Sequence, residues 1–341
     1  MSSAGGSRHP NGKRDKELAL AGRVAWSFLM EPDMAASLQL IEVPGSAAES
    51  DRGRALLTRA VAGRYRVLRM VSRGGMGAVY LAFEHGLERH VALKLLDPAR
   101  CRDEETRGRF RREARVMAQL SHPIIVPVHA WGDADGACWY AMPFLEGGSL
   151  AARLAARSRL DIEETREILA HLADALAFAH GRGVIHRDLK AENVLFDGSG
   201  RPMLTDFGIA TVTTSDHSRS EAHKGMGTPH YMAPEHLLGR LEADHRGDLY
   251  ALGVLGFRML TGRFPFEGTA EAIAAQHVSR DAPTVRAWRA DVPAALADAV
   301  DCCLAKRPGA RWPDGASLCA ALRAPAPARR FGLGRFRLLM L

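Results

Sequence analysis

Residues 186–208 constrain the fold of this chain more than any other stretch. They begin with HRDLKAEN, continue through the apolar run Val194-Leu195-Phe196 and end with DFG. An acid, a lysine, an amide and a second acid thus stand between short apolar segments. This is the pattern of two turns that flank short strands and display charge in a cleft. The stretch therefore predicts a polar site held between short strands.

Four polar side chains of this stretch match what phosphoryl transfer requires. The transition state of that reaction leaves a catalyst mainly to position groups and to neutralise charge. Asp188 could accept or orient the proton of an attacking hydroxyl, and Lys190 could reach the transferring phosphate. Asn193 and Asp206, 13 residues apart, offer hard oxygen ligands suited to Mg²⁺, which takes one or two protein groups and completes its shell with phosphate and water.

A glycine-tipped hairpin is predicted upstream. Residues 65–71 alternate apolar and basic side chains, and residues 78–83 run back as a second strand. Between them, Gly74, Gly75 and Gly77 lack a Cβ, so backbone N–H groups can approach phosphate oxygens closely. The hairpin therefore predicts a phosphate-binding loop.

A single lysine, Lys94, lies in the apolar strand VALK. Burying an unpaired ammonium is costly, so this side chain needs an acidic partner or an anionic ligand. The helix predicted from Glu104 to Leu120 places Phe110 and Met117 on one side and offers Glu113 as the partner.

With these features in this order, the sequence resembles the Hanks-type protein kinase superfamily, specifically the bacterial serine/threonine kinases, from about residue 64 to about residue 322. The resemblance implies an α+β, two-lobed fold. A small antiparallel-sheet N-lobe with one main helix would occupy 64–145, and a larger helical C-lobe would occupy 146–323. The predicted order, strands first and helices after, agrees with this fold.

The resemblance also implies an ATP site with Mg²⁺, or Mn²⁺ as an alternative ion. The implied catalytic residues are Asp188, Lys190, Lys94 and Glu113, and the implied metal ligands are Asn193 and Asp206. The implied nucleotide-binding residues, with Met142 as gatekeeper and Phe144 and Leu145 as the hinge, are Val71, Ser72, Arg73, Gly74, Gly75, Met76, Gly77, Ala78, Val79, Ala92, Lys94, Met142, Phe144, Leu145, Ser149 and Leu195. Ser72 replaces the first glycine of the family pattern, which we expect to loosen nucleotide binding rather than abolish it.

The segment from Asp206 to Glu235 is 30 residues long and poor in apolar side chains, so a functional loop is expected. It resembles the kinase activation segment. Its last residues, GTPHYMAPE, are typical of a platform for peptide substrates. Arg187 could hold a phosphorylated loop residue by bidentate contacts. Autophosphorylation is expected at one or more of Thr211, Thr213, Thr214, Ser215, Ser218 and Ser220.

Two scaffold contacts are implied by the resemblance as well. Glu235 is expected to pair with Arg311 in a buried bridge, and Asp248 is expected to open a buried helix and support the loop around Asp188. Removing one partner of a buried bridge typically costs about 3–5 kcal/mol.

The two ends of the chain differ from this central region. Residues 1–63 form an N-terminal extension in which the sequence predicts disorder in the polar stretch 1–16, a helix at 17–31 and a linker at 44–48. The tail at 324–341 carries four arginines and no acid, and it supplies +4 of the net charge of +7. Arginine beside apolar residues predicts a weak peripheral membrane contact at the inner face of the membrane.

Charge and cysteine content indicate which compartment and which partners are expected. The central region is close to neutral, so no nucleic-acid partner is expected. The five cysteines show no CxxC spacing, which argues against a disulfide framework or a zinc site and favours the cytoplasm. No apolar run reaches the roughly 20 residues of a membrane-spanning helix, and no signal peptide is recognisable.

The leading interpretation is an ATP-dependent serine/threonine protein kinase, a signalling phosphotransferase that acts on protein substrates. The alternative is a weakly active or inactive kinase-fold scaffold that works through its N-terminal extension or its tail. A small-molecule phosphotransferase is disfavoured because the GTPHYMAPE segment builds a peptide platform. The oligomeric state stays open.

Overall fold

The computed structural model describes residues 47–74, 77–134, 136–207, 229–239 and 244–324. The helix predicted at 17–31, the loop tip Gly75–Met76, the phosphorylation candidates at 211–220 and nearly all of the basic tail lie outside the described residues.

The N-lobe is built on one antiparallel sheet. The strands are β1 (Tyr65–Gly74), β2 (Gly77–Glu84), β3 (Arg89–Leu96), β4 (Ala130–Ala134) and β5 (Ala137–Pro143). In the sheet they lie side by side in the order β1-β2-β3-β5-β4, because successive hairpins place β1, β2 and β3 next to one another. Helix α2 (Glu104–Gln119) connects β3 to β4. This is the small antiparallel lobe with one main helix that the sequence predicts.

A helix that the sequence analysis missed covers the outer face of this sheet. Helix α1 spans Ala47–Ala60, so the linker prediction at 44–48 is wrong at its last two residues. Leu57 and Val61 are buried and pack in one core with Tyr80 and Trp139 of the sheet. Burying a leucine side chain contributes about 1.5–3 kcal/mol, so α1 is part of the folded N-lobe.

The C-lobe is helical, with one small hairpin near the interface between the lobes. Its helices are α3 (Leu150–Ala156), α4 (Ile162–His180), α5 (Pro234–Leu237), α6 (Arg246–Thr261), α7 (Ala270–Ser279), α8 (Val285–Trp288), α9 (Ala294–Cys303) and α10 (Gly315–Arg323). The hairpin consists of β6 (Val194–Phe196) and β7 (Pro202–Leu204). No helix within the described ranges is both long enough and apolar enough to span a bilayer.

Helix α6 forms the centre of the C-lobe, and nearly every residue of this helix is buried. Small residues allow this close packing. A Cβ at Gly253 would lie 2.6 Å from the Cβ of Cys303 on α9, which is closer than carbon atoms pack. Helix α4, which packs on α6, begins after Asp161, because the Asp161 carboxylate accepts hydrogen bonds from the N–H groups of Glu163 and Glu164.

A buried ion pair connects the end of the expected activation segment to the last part of the C-lobe, as predicted. Arg311 donates from Nη1 and Nη2 to the two carboxylate oxygens of Glu235 at 2.6 and 2.8 Å. Arg311 also donates to the carbonyls of Ala305, Lys306 and Arg246. The geometry is bidentate and the remaining donors are paired, so this contact meets the conditions under which a buried ion pair is tolerated.

Stability should depend on pH through one buried histidine. His277 is 1% exposed and its Nδ1 lies 2.7 Å from the Tyr250 hydroxyl. Burial, assisted by the charge of Lys306, lowers the pKa of His277 from 6.5 to about 4. The unfolded chain therefore binds this proton more readily, and the contribution of His277 to stability is complete above its ordinary pKa and is lost as the pH falls towards 4.

We expect the free energy of unfolding to fall by about 2 kcal/mol through this group when the pH is lowered from about 7.5 to about 5. Urea unfolding of the wild-type chain and a His277→Gln variant at both pH values measures the effect. The wild type should lose about 2 kcal/mol more than the variant. Equal losses would contradict the assignment.

Candidate active site

The loop formed by residues 186–193 lies between α4 and β6, and one carboxylate holds its backbone. Asp248, in the first turn of α6, accepts hydrogen bonds of 2.8 Å from the N–H groups of His186 and Arg187. A third contact of 2.8 Å joins Asp248 to Nε2 of His180. Arg187 has a φ of 64°, which costs a non-glycine residue about 1–3 kcal/mol. The hydrogen bonds to Asp248 hold the loop in this conformation, as the sequence predicts for Asp248.

Asp188 presents its carboxylate at the surface of this loop. Its side chain is 50% exposed, and Oδ2 accepts from the Lys190 ammonium at 2.7 Å. Asn193 donates from Nδ2 to the same oxygen at 3.1 Å and to the Asp188 carbonyl at 2.8 Å. Both contacts converge on Oδ2, and within the part of the chain that the structure describes Oδ1 accepts no hydrogen bond. The structure thus brings together these three predicted residues.

A second cluster joins the two lobes. Lys94 of β3 lies with its Nζ 3.4 Å from Oε1 of Glu113 on α2 and 2.8 Å from Oδ1 of Asp206, which follows β7. Asp206 has a φ of 58°. The predicted Lys94–Glu113 pair is therefore formed, and Lys94 also contacts the predicted metal ligand.

Tyr140 is a member of this cluster that the sequence analysis missed. It lies on β5 directly opposite Lys94 in the strand pairing and is fully buried. Its hydroxyl lies 3.3 Å from Oε1 of Glu113 and 3.1 Å from Oδ1 of Asp206. The available signal was alternation along β5, which places Tyr140 on the same face of the sheet as the predicted gatekeeper Met142.

Charge in this cluster is set by burial and by mutual contact. Burial lowers the pKa of Lys94, but the interactions with Asp206, Tyr140 and Glu113 together outweigh burial, so that pKa lies well above its ordinary value. Burial raises the pKa of Glu113 despite the nearby ammonium. Burial also opposes ionisation of Asp206, yet Lys94 holds the pKa of this carboxyl below its usual range. Burial raises the pKa of Tyr140 well above its ordinary value, so the phenol keeps its proton.

The predicted glycine hairpin is formed by β1 and β2. Gly74 pairs with Gly77, and Ser72 pairs with Val79 on the facing strand. Gly77 has a φ of 153°, and a Cβ added there would lie 1.9 Å from the carbonyl oxygen of Leu95. Only glycine fits this position, so the packing of the sheet requires Gly77 whether or not a phosphate binds nearby.

The predicted adenine-site residues come together beneath this hairpin. Ala92 and Met142 are partners in the pairing of β3 and β5, and they pack in one core with Val79, Phe144 and Leu145. Leu195, on β6, pairs with Ser149 in an isolated antiparallel bridge, and neither of these two residues belongs to that core.

Ser149 has a structural function that the sequence analysis did not assign. Its hydroxyl oxygen accepts from the N–H of Ala152 at 3.1 Å and caps α3. The hydroxyl proton remains available to a ribose oxygen.

Asn193 and Asp206 fit the coordination chemistry of a hard divalent cation. Asn193 donates twice through Nδ2, which leaves its Oδ1 as a neutral oxygen ligand, and Asp206 supplies a carboxylate. Within the described residues, no group of three His, Cys, Asp or Glu side chains could hold a metal by itself. An ion at this place would take most of its ligands from phosphate and water, as Mg²⁺ does.

Two residues of the central stretch contribute packing rather than chemistry. His186 and Phe207 are fully buried, and their ring centroids lie 4.6 Å apart. The last part of the expected activation segment is described from Pro229 onwards. There, Tyr231 accepts from Arg258 on α6 at 2.7 Å, and His230 stacks on Phe264. The end of the expected peptide platform is thus anchored to the C-lobe.

Comparison with known proteins identifies relatives of this chain. The family model described as the protein kinase domain matches residues 65–321. The serine/threonine-protein kinase PrkC of Bacillus subtilis is 36% identical over 285 residues, which are 82% of this chain and 43% of PrkC. The serine/threonine-protein kinase PknJ of Mycobacterium tuberculosis is 40% identical over 255 residues, which are 73% of this chain and 43% of PknJ.

Solved structures give the same result. The kinase domain of Mycobacterium tuberculosis PknI matches with a TM-score of 0.60 and 33% identity, and the match covers 76% of this chain and 95% of that domain. The chain spans less than half the length of PrkC and PknJ, so the similarity concerns their kinase regions.

Proposed function

The chain belongs to the protein kinase family, and on that premise we propose that it transfers the γ-phosphate of ATP to serine and threonine hydroxyls of protein substrates. The observation that carries the proposal is the meeting of Lys94, Glu113 and Asp206 at 2.8–3.4 Å between the lobes. The loop that carries Asp188 is joined to this cluster by its backbone, because the N–H of Thr205, next to Asp206, donates to the Asn193 carbonyl at 3.0 Å. The names of PrkC and PknJ support serine and threonine as acceptors.

Each polar group has a distinct role in this proposal. Asp188 accepts or orients the proton of the substrate hydroxyl through its open carboxylate oxygen. Lys190, 2.7 Å from Asp188, neutralises charge on the phosphoryl group as it transfers. Lys94 binds the α- and β-phosphates, and Glu113 holds Lys94 in position. This division places proton handling and charge neutralisation on different side chains.

Asn193 and Asp206 are the proposed ligands of Mg²⁺, with Mn²⁺ as an alternative. Such an ion supplies charge stabilisation to the phosphate oxygens when it is bound. The hinge residues Phe144 and Leu145 and the apolar residues Val79, Ala92, Met142 and Leu195 form the proposed adenine site. The geometry does not favour the inactive-scaffold alternative, because the described polar residues of the site stand in mutual contact.

Two substitutions test the catalytic assignment. Asp188→Asn removes the proton acceptor and Lys94→Met removes the phosphate-binding cation, so each should leave a folded chain whose turnover is lower by about 10²–10⁴-fold. The measurement is transfer from radiolabelled ATP to a generic protein substrate, with thermal unfolding recorded in parallel. Asp298→Asn, an exposed acid on α9, is the matched control. Wild-type turnover in either site variant would refute the assignment.

We further propose that activity is regulated by autophosphorylation at one or more serines or threonines within residues 211–220. Arg187 supports this proposal, because Asp248 fixes its backbone next to Asp188. Among the described residues its guanidinium makes no ion pair, so it is available to a phosphate.

Incubation with ATP and Mg²⁺ followed by mass spectrometry tests this regulation. Phosphate should appear within 211–220 in the wild type and should be absent from Asp188→Asn. An enzyme that phosphorylates its substrate while this segment stays unmodified would disprove the proposal.

For the tail, we propose a weak peripheral contact with anionic membranes from the cytoplasm. Its charge of +4 and its apolar residues support this contact, and the free state of the five cysteines agrees with a reducing compartment. Because α10 ends at Arg323, a chain of residues 1–323 keeps every described helix.

Sedimentation with vesicles compares the full chain with residues 1–323. The full chain should bind vesicles that contain phosphatidylserine several-fold better than the shortened chain, and the difference should shrink at high salt. Equal binding of the two chains would exclude a membrane role for the tail.

A further inference from the structure

The Tyr140 hydroxyl stands between two carboxylates but has only one proton to donate. It lies 3.3 Å from Glu113 and 3.1 Å from Asp206, and a phenol donates one hydrogen bond at a time. Donation to one carboxylate therefore excludes donation to the other.

The same two carboxylates compete for Lys94. Its Nζ lies 2.8 Å from Asp206 and 3.4 Å from Glu113, so the lysine is closer to Asp206. Among the described residues, Glu113 makes polar contacts only with Lys94 and Tyr140. When Lys94 is drawn away, the tyrosine hydroxyl is the donor that remains to this buried carboxylate.

The position of the hydroxyl is fixed by the sheet. Tyr140 is directly opposite Lys94 in the pairing of β3 and β5. Its ring is fully buried and packs against Phe110 of α2, with centroids 5.2 Å apart. The ring therefore stays in place, and only the hydroxyl proton needs to turn from one carboxylate to the other.

We propose that Tyr140 is a positioning residue whose hydroxyl proton turns from Asp206 to Glu113 and so holds Glu113 and helix α2 in place when Lys94 and Asp206 engage a nucleotide and its metal ion. This inference rests on the proposed phosphotransfer function. Tyr140 touches neither phosphate nor acceptor in this role and acts through Glu113.

Tyr140→Phe removes the hydroxyl and keeps the ring, and Tyr80→Phe makes the same change at another buried tyrosine of the sheet, in the core beneath α1. Amide hydrogen exchange in α2 of the full chain, measured with Mg²⁺ and a non-hydrolysable ATP analogue bound, should become about tenfold faster in Tyr140→Phe, the factor expected for losing one hydrogen bond to a charged group. Turnover should fall about tenfold. Tyr80→Phe should match the wild type in both measurements.

A double substitution distinguishes positioning from general structural damage. In a Glu113→Ala background, which removes the acceptor oxygens, Tyr140→Phe should lower kcat/KM by less than about twofold, because the hydroxyl acts through Glu113. If the effects of the two substitutions on kcat/KM multiply, the proposal is overturned. An amide exchange rate in α2 of Tyr140→Phe equal to that of the wild type would overturn it as well. A wild-type chain without phosphotransfer would refute the proposed function instead, and the exchange data would still decide whether Tyr140 holds α2.

Discussion

The buried carboxylate of Asp248 is the contact on which the geometry of the catalytic loop depends. Burial alone would raise the pKa of Asp248, but the hydrogen bond and charge of His180 hold it below its ordinary value. The charged group is compensated by three donors, two of them backbone N–H groups of the loop. Because Asp248 belongs to the buried helix α6, packing of the C-lobe core sets the position of Asp188.

The second constraint is the cluster that joins the lobes. Lys94 and Tyr140 come from the sheet, Glu113 from α2, and Asp206 from the C-lobe, so the described ion pairs report directly on how the lobes meet. Helix α2 has another attachment, because Arg107 and Arg111 both contact Asp133 of β4 at 2.7–2.9 Å. These contacts with Asp133, together with the contacts that Glu113 makes to Lys94 and Tyr140, keep Glu113 directed into the cleft.

Much of this arrangement was predictable from the sequence, because each prediction rested on a local pattern or on a motif of fixed spacing. The strand predicted at 65–71 and the Glu235–Arg311 pair appear as expected, although burial along that strand alternates only from Tyr65 to Val67, because register shifts follow. Helix α1 was missed because its sequence, AAESDRGRALLTRA, has few apolar residues and follows a proline-glycine stretch. It is stabilised by the sheet face that Leu57 covers, and no local pattern reveals that contact.

The order of residues already establishes which chemical groups are present: the glycines, the lysine, the acids and the amide, at spacings that belong to one family. Which of these groups share partners depends on how the folded elements meet. Tyr140 and Asp206 are 66 residues apart in the chain, and Tyr140 reads in sequence as one more aromatic residue of a buried strand. Its hydroxyl became part of the site because the docking of α2, the sheet and β7 brought two carboxylates to the same point, and long-range packing of that kind leaves no periodic trace in the sequence.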